Sequence, residues 1–481
     1  MNRTNFQTNT IYNTIKTLFG IVYPLITFPY ISRVLMAENV GKINFANSVV
    51  SYFSLIASLG VTTYAIRECA KVRGDQEKLN QTASQILSIN LVSTLVAYLA
   101  LAVTLIAARP LDHYRILICI QSSTLIFSTL GAEWLNTAME DFRYVTIRTI
   151  SFQLISLVLM LLMVKRPEDY VRYALISVIA SSGANVVNMF YRRRFCRTRL
   201  TLHLDLRRHL PPILLLFTVI FAQIIYTNSD TTILGLFRGD FEVGLYSVVI
   251  KIYHLVNTTI ASVAWVVMPQ LSANFAERNY TEANRLLKHS LNFIIILGLP
   301  AIVGINVLAK PIIYLMAGGE YLDAAPALHI FTGTLFFSLI GGWIGNMTML
   351  PAGREKLCLV ASVVSALINI VLNLILIPSF GICAAAATTM ASEAACVLIL
   401  GRKMDQGIRI DGWHEMLKAP LVGSIGIVVV CVAVRLLVKS YVLAAVLAVV
   451  LSVIVYGVSL IVLKNEFILG FLQPILKKKM K

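Results

Sequence analysis

The chain has 481 residues, of which 57% are hydrophobic and only 14% charged, and its formal net charge is +17. Soluble domains carry about 25% charged residues. No soluble core hides this much apolar surface, so the composition excludes a soluble enzyme and makes lipid the solvent.

A helix that crosses a bilayer needs about 20 apolar residues, and fourteen such stretches follow in chain order. Spans 1 and 2 (10–34 and 42–66) form a hairpin around RVLMAENVGKINFANSVVSYF. Its Gly41-Lys42 is not the end of a phosphate-binding loop: Met36 stands where the first glycine is needed and Ile43 where a hydroxyl is needed. The first apolar run is long, lacks a small-residue cleavage site and holds two prolines, so it is expected to remain as a helix. Span 1 carries Asn13, Lys16, Gly20, Tyr23, Thr27, Tyr30 and Arg33, in steps of three or four. Span 2 carries Asn44, Asn47, Ser48, Ser51, Ser54 and Ser58. Such steps keep each set on one helical face.

Spans 3 to 6 (83–108, 113–136, 143–164 and 169–191) have scattered hydroxyls but no stripe of that length. Glu133, Arg143 and Arg148 lie near the ends of spans 4 and 5, where they form either a gating ion pair or an ordinary basic flank. The loop 192–209 reads RRRFCRTRLTLHLDLRRH. Spans 7 and 8 (211–236 and 242–270) restore the stripes, with Gln223, Tyr226, Thr227 and Asp230, then Ser247, Lys251, His254 and Thr258. Spans 9 to 14 cover 287–309, 322–348, 355–378, 380–401, 416–438 and 440–463. The apolar signal is weakest at 169–191 and 322–348.

With the N-terminus placed in the cytoplasm, the even-numbered loops and both termini hold most of the Lys and Arg, including 192–209 and the terminal KKKMK. That is the positive-inside pattern, with both termini cytoplasmic. Topology and anionic headgroups explain the 192–209 block better than nucleic acid does. The longest loops (67–82, 192–209, 271–286 and 402–415) all fall on this side, so an enzyme site built on a large external loop is disfavoured. The seven cysteines show no CxxC and no partner histidines, and read as small apolar residues; no metal site is expected.

A weak internal repeat relates RVLMAENVGKINFANSVVSYF to TILGLFRGDFEVGLYSVVIKIYHLV. Each gives a leucine, a polar tip, Val-Gly and a helix, the second tip reading longer by a few residues. Six spans separate the copies, so both have the same orientation, as in repeats related by an axis along the membrane normal. The expected architecture is an all-α integral membrane protein with an N-terminal lobe (1–206, six helices), a C-terminal lobe (207–405, six helices) and an extra hairpin with a basic tail (406–481).

Lipid cannot satisfy the polar faces of spans 1, 2, 7 and 8. A central Lys, Arg or Asp costs roughly 2.5–3.5 kcal/mol on insertion scales. Helix-to-helix hydrogen bonds, worth about 0.6 kcal/mol each, account for the serines but poorly for Lys16, Asp230 and Lys251. The simplest arrangement turns all four faces toward one water-filled cavity between the lobes. The candidate binding residues are Lys16, Tyr23, Arg33, Lys42, Asn44, Asn47, Ser51, Gln223, Asp230, Lys251 and His254. Their charge is mostly positive and favours an anion such as a phosphate or an acidic sugar. Narrower roles stay open: Lys251 can pair with Asp230, Lys16 can snorkel, Arg33 and Lys42 can be interfacial anchors, His254 can be a plain wall residue, and Asp230 can exchange a proton or Na+.

Three segments carry a family resemblance: FPYISRVLMAENVGKINFANSVVSYFSLIASLGVTTYAIRE (28–68), EWLNTAMEDFRYVTIR (133–148) and YTNSDTTILGLFRGDFEVGLYSVVIKI (226–252). The chain resembles bacterial polysaccharide-unit flippases of the multidrug/oligosaccharidyl-lipid/polysaccharide exporter superfamily. It departs from their pattern at Met36, usually glycine, and at Ala138, often glycine, so a different local backbone is expected there. The resemblance implies a transporter of the bacterial cytoplasmic membrane that turns an undecaprenyl-pyrophosphate-linked oligosaccharide from the inner to the outer leaflet by alternating access. The pyrophosphate would meet Lys251, Arg33 and Lys42; the sugars would meet Asn44, Asn47, Tyr23 and the serines. The prenyl tail would stay in lipid beside spans 13 and 14. No ATP-binding motif is present and no cofactor is implied, but coupling to an H+ or Na+ gradient is. Polymerase and chain-length proteins of the same pathway are the implied partners. A cation-coupled multidrug exporter would have twelve spans and an acidic cavity. A lipid II flippase shares the fourteen spans and the basic cavity, but FPYISR and EW favour the polysaccharide branch. A polymerase or ligase would show a long external loop with catalytic Arg and His, whereas His113 stands alone in a short one.

Overall fold

Backbone in lipid must satisfy its own hydrogen bonds, and every regular element among the described residues is helical. The computed structural model describes residues 3–201, 204–404, 407–408 and 410–465; the terminal KKKMK lies outside them. Among these residues, 12 helical segments are long and apolar enough to cross a membrane. Two of them cross twice: Arg3–Ser58 is broken at Met36, and Glu355–Gly401 is broken at Gly381. The chain is therefore an all-α, multi-pass membrane protein with fourteen crossings, as the sequence predicts.

The first break corrects the expectation for the hairpin tip. Met36 takes a backbone conformation that favours glycine (φ 65°, ψ 170°). Gly239, between spans 7 and 8, has nearly the same geometry (φ 87°, ψ −178°). Met36 precedes Gly41 by the same number of residues as Gly239 precedes Gly244, so the two tips of the repeat are equal in length. Other boundaries also shift. Span 2 ends at Ser58 because Leu59 (φ 46°) and Gly60 (φ 75°) are both left-handed, and the short helix Val61–Lys71 follows as a separate piece. Span 8 ends at Ala261, and Val263–Ala276 is a helix of its own. The two stretches with the weakest apolar signal are interrupted helices, with π-helical turns at Ile179–Gly183 and Trp343–Met349.

By packing, residues 1–244 and 245–481 form two compact units. In the first, the broken helix of spans 1 and 2 lies against spans 3, 4, 5 and 7. Buried polar side chains tie these helices at fixed points. Asn90 and Ser93 both donate to the Ala57 carbonyl (2.7 and 2.6 Å). Asn188 donates to the Gly131 carbonyl and to Asn136 Oδ1, each at 2.7 Å. An apolar cluster in this unit includes Tyr64, Leu79, Ile86, Trp134, Leu135, Cys196 and Ile213. Within it, Tyr64 hydrogen-bonds His209 Nδ1 (2.7 Å), whose Nε2 faces Gln85 Oε1 (2.9 Å). Cys196 lies outside the spans, and burial pushes its thiol up to about 11, so it stays protonated and unreactive.

In the second unit, spans 13 and 14 (Trp413–Leu437 and Tyr441–Val462) pack on each other and on span 9 (Tyr280–Val307). Small residues Ala444, Ala448 and Cys431 let the helices approach, and Tyr456 donates to the Ile296 carbonyl at 2.8 Å. The remaining surface of span 14 (Val449, Val453, Ile454, Val462) is exposed and apolar, as a lipid-facing side must be.

Candidate functional site

The polar stripe of span 1 divides into two kinds of residue. Tyr23 and Tyr30 join the helix to span 5: Tyr23 Oη lies 2.6 Å from Ser156 Oγ, and Tyr30 donates to the Val164 carbonyl at 2.8 Å. Lys16 instead meets Glu133 at 2.8 Å. The other Glu133 oxygen takes Arg148 Nη2 at 2.5 Å. One carboxylate thus bridges cations from spans 1 and 5, which sequence analysis had not placed together. The Arg148 side chain is only 3% exposed, against 33% for Lys16 and 36% for Glu133. The guanidinium lies over the Tyr144 ring (5.3 Å), and that ring stacks on Tyr191 at 3.5 Å. Arg143 is exposed on the first turn of span 5.

At the tip of the hairpin, Lys42 pairs with Glu38 (2.8 Å) and lies 5.8 Å from the Tyr170 ring. Arg33 donates to the Pro29 carbonyl of its own helix at 2.7 Å. Below the tip, Asn47 is exposed, Asn44 half-buried, and Ser51 donates to the Ser48 carbonyl at 2.6 Å. Span 7 meets this face through Thr232, whose hydroxyl lies 2.9 Å from Ser48 Oγ and 3.0 Å from Tyr52 Oη. Gln223 and Thr227 are exposed on span 7, while Asp230 is buried. In the second unit, Lys251, His254 and Thr258 are exposed along one face of span 8, and Tyr253, off that face, bonds Ser338 Oγ at 2.8 Å.

The two tips of the repeat touch through main chain. A methyl group at Gly41 would collide with the Asp240 carbonyl oxygen, and one at Gly244 with the Ala37 carbonyl oxygen. Ala37 and Asp240 are equivalent positions in the repeat, so the contact is reciprocal. It is sealed by Tyr114, which donates to the Asp240 carboxylate at 2.7 Å and packs on Phe45 (ring centroids 4.5 Å apart). Neither Asp240 nor Tyr114 had been singled out from sequence. The signal was available in the Val-Gly register, once the tips are aligned without an insertion.

With fourteen membrane crossings and leading helices that carry accessible cations, amides and hydroxyls, the chain is a multi-pass membrane protein with polar faces at membrane depth. Residues 6–275 match the family model described as "Polysaccharide biosynthesis protein", and the chain belongs to that family, within the multidrug/oligosaccharidyl-lipid/polysaccharide exporter superfamily. Residues 245–475 match a second model, described as "Lipid II flippase MurJ". Two relatives named "Putative O-antigen transporter", from Shigella dysenteriae and Escherichia coli (strain K12), are each 21% identical to it. Their matches cover 79% and 82% of this chain and 95% of each relative. Among solved structures, a lipid II flippase in an inward closed conformation has the same fold, with a TM-score of 0.73 at 15% identity over 97% of this chain and 100% of the other.

Proposed function

We propose that the protein turns an isoprenoid-diphosphate-linked oligosaccharide, the repeat unit of a cell-surface polysaccharide, from the inner to the outer leaflet of the bacterial cytoplasmic membrane. The observation that carries this reading is the family match combined with cationic and amide-rich faces on membrane-crossing helices. An anion and a sugar need those faces; a lipid-packed helix bundle does not. Lys251, Arg33 and Lys42 are assigned to the diphosphate, with His254 nearby, and Asn44, Asn47, Ser51, Tyr23 and Gln223 to the sugars. Asp230 is assigned to an exchangeable H+ or Na+ that couples movement to an ion gradient. The cycle is alternating access, with no chemical step and no ATP. The positive-inside pattern supports cytoplasmic termini, and polymerase and chain-length proteins act on the product outside.

Deleting the gene is expected to remove the surface polymer while lipid-linked units accumulate on the inner leaflet. Normal surface glycan in a strain with no second transporter of this type overturns the reading. The match of residues 245–475 to the lipid II flippase model favours one alternative, transport of a peptidoglycan precursor. That alternative requires this chain to restore growth to cells depleted of their lipid II flippase; failure to rescue, with the protein present in the membrane, rejects it.

A further inference from the structure

We propose that Lys16 and Arg148 form a loading subsite for the diphosphate of the substrate, and that Glu133 occupies this subsite as a built-in anion until the substrate displaces it. This rests on the transport reading above and adds a site to it. The geometry is that of a held anion: a single carboxylate sends one oxygen to Lys16 (2.8 Å) and the other to Arg148 (2.5 Å). Two oxygens of a diphosphate can make the same two contacts, and the planar fork of an arginine suits phosphate oxygens.

Arg148 has more to offer than Glu133 uses. Its side chain is 97% buried, and Nε and Nη1 have no protein partner among the described residues. A buried arginine placed only as helix glue would have those donors satisfied. The Tyr144 ring, stacked on Tyr191, fixes the plane of the guanidinium, and Tyr191 in turn donates to Asp141, the residue that caps span 5 (2.8 Å). Lys16 and Glu133 are both about one-third exposed, so the subsite is approached from their side.

The displaced carboxylate has somewhere to go. Glu133 also lines a cavity of about 190 Å³, whose wall mixes the hydroxyls and amides of Ser58, Thr62 and Asn90 with the apolar surfaces of Leu125 and Trp134. Trp134 is buried, and its Nε1 donor has no protein partner among the described residues. Moving Glu133 toward this cavity leaves two positive charges against a diphosphate, so exchange of anions keeps the site neutralised. Carboxylate and diphosphate then compete for one place, and removing the carboxylate must strengthen diphosphate binding.

The test is binding of inorganic pyrophosphate to the purified full chain in lipid nanodiscs, by calorimetry. Glu133→Gln is expected to bind pyrophosphate at least about tenfold tighter than the natural protein, within the usual range for coupled sites. Adding Arg148→Gln or Lys16→Gln to that variant is expected to abolish the gain. Unchanged or weaker binding in Glu133→Gln, with its melting temperature retained, overturns the proposal, as does a gain that survives Arg148→Gln. Should Glu133→Gln fail to fold, Glu133→Asp serves: its shorter carboxylate cannot bridge both cations, and tighter pyrophosphate binding is again expected. Farnesyl diphosphate is expected to compete with pyrophosphate. Competition instead by nanodisc phosphatidylglycerol at equal strength would make this a headgroup site and also overturn the proposal. Residue-dependent pyrophosphate binding with normal surface glycan after gene deletion would keep the subsite and reject the transport reading; the converse result would reject the subsite alone.

Discussion

Met36 is the residue whose local chemistry is most at odds with its position. A φ of 65° with ψ near 170° is a region almost reserved for glycine, and holding another residue there costs on the order of 1–3 kcal/mol. Met36→Gly is therefore expected to raise stability by about 1–2 kcal/mol after the entropy cost of glycine is deducted, read as a higher melting temperature in detergent; a lower one would show that the Met36 side chain contributes more than its backbone loses. The family resemblance marked this residue as a departure from a glycine pattern, but only the structure shows that it shares the backbone geometry of Gly239, its counterpart in the repeat. Lys251 is exposed on span 8 and was legible from its place in a polar stripe. Lys251→Ala is expected to slow transport by about tenfold or more, the usual worth of a hydrogen bond to a charged group; full transport would remove it from the anion site. Of the Lys16–Glu133–Arg148 cluster, the Glu133–Arg148 ion pair was one of the two readings the sequence offered, but the place of Lys16 in it was not legible: 117 residues separate Lys16 from Glu133, and no periodicity reports which helices adjoin.

At the scale of helices, the tips of the repeat set the tightest constraint. Gly41 and Gly244 lie against the carbonyls of Asp240 and Ala37 so closely that no side chain fits at either position. Small residues allow such backbone approach in membranes, and weak Cα–H···O contacts accompany it. Gly41→Val and Gly244→Val are each expected to separate the tips. Spin labels at the exposed positions Glu38→Cys and Phe241→Cys, on a cysteine-free background, should report longer distances in both variants; an unchanged distance distribution would mean that the contact does not hold the tips. The fourteen crossings were legible because apolar length is a property of single segments. The end of span 2 was not, because a left-handed residue such as Leu59 carries no compositional mark; nor was the end of span 8, where the break at Ser262 keeps right-handed helical angles. The interruptions of spans 6 and 10 were hinted at by weak apolar signal, though not as π turns.

At the scale of the whole molecule, two kinds of exposed surface coexist. Asn47, Thr227 and His254 are exposed on polar faces, whereas Leu95 and Val453 are exposed among apolar neighbours. Cysteines placed at the first three positions are expected to react with a charged, membrane-impermeant thiol reagent about tenfold faster than cysteines at the last two, because a thiolate forms only where water reaches it. Equal, slow rates at all five would reject an aqueous path. The class of the molecule was open to sequence because composition alone rejects water as its solvent; how its polar faces are shared between helix contacts and accessible surface was not, since both uses obey the same helical spacing. The junction of the two hairpin tips carries one last implication. Main chain abutting main chain has no charge for salt to screen and no proton to surrender, so salt and pH should reach that seam only through the Tyr114–Asp240 bond beside it. The carbonyl contacts themselves part only when the helices move.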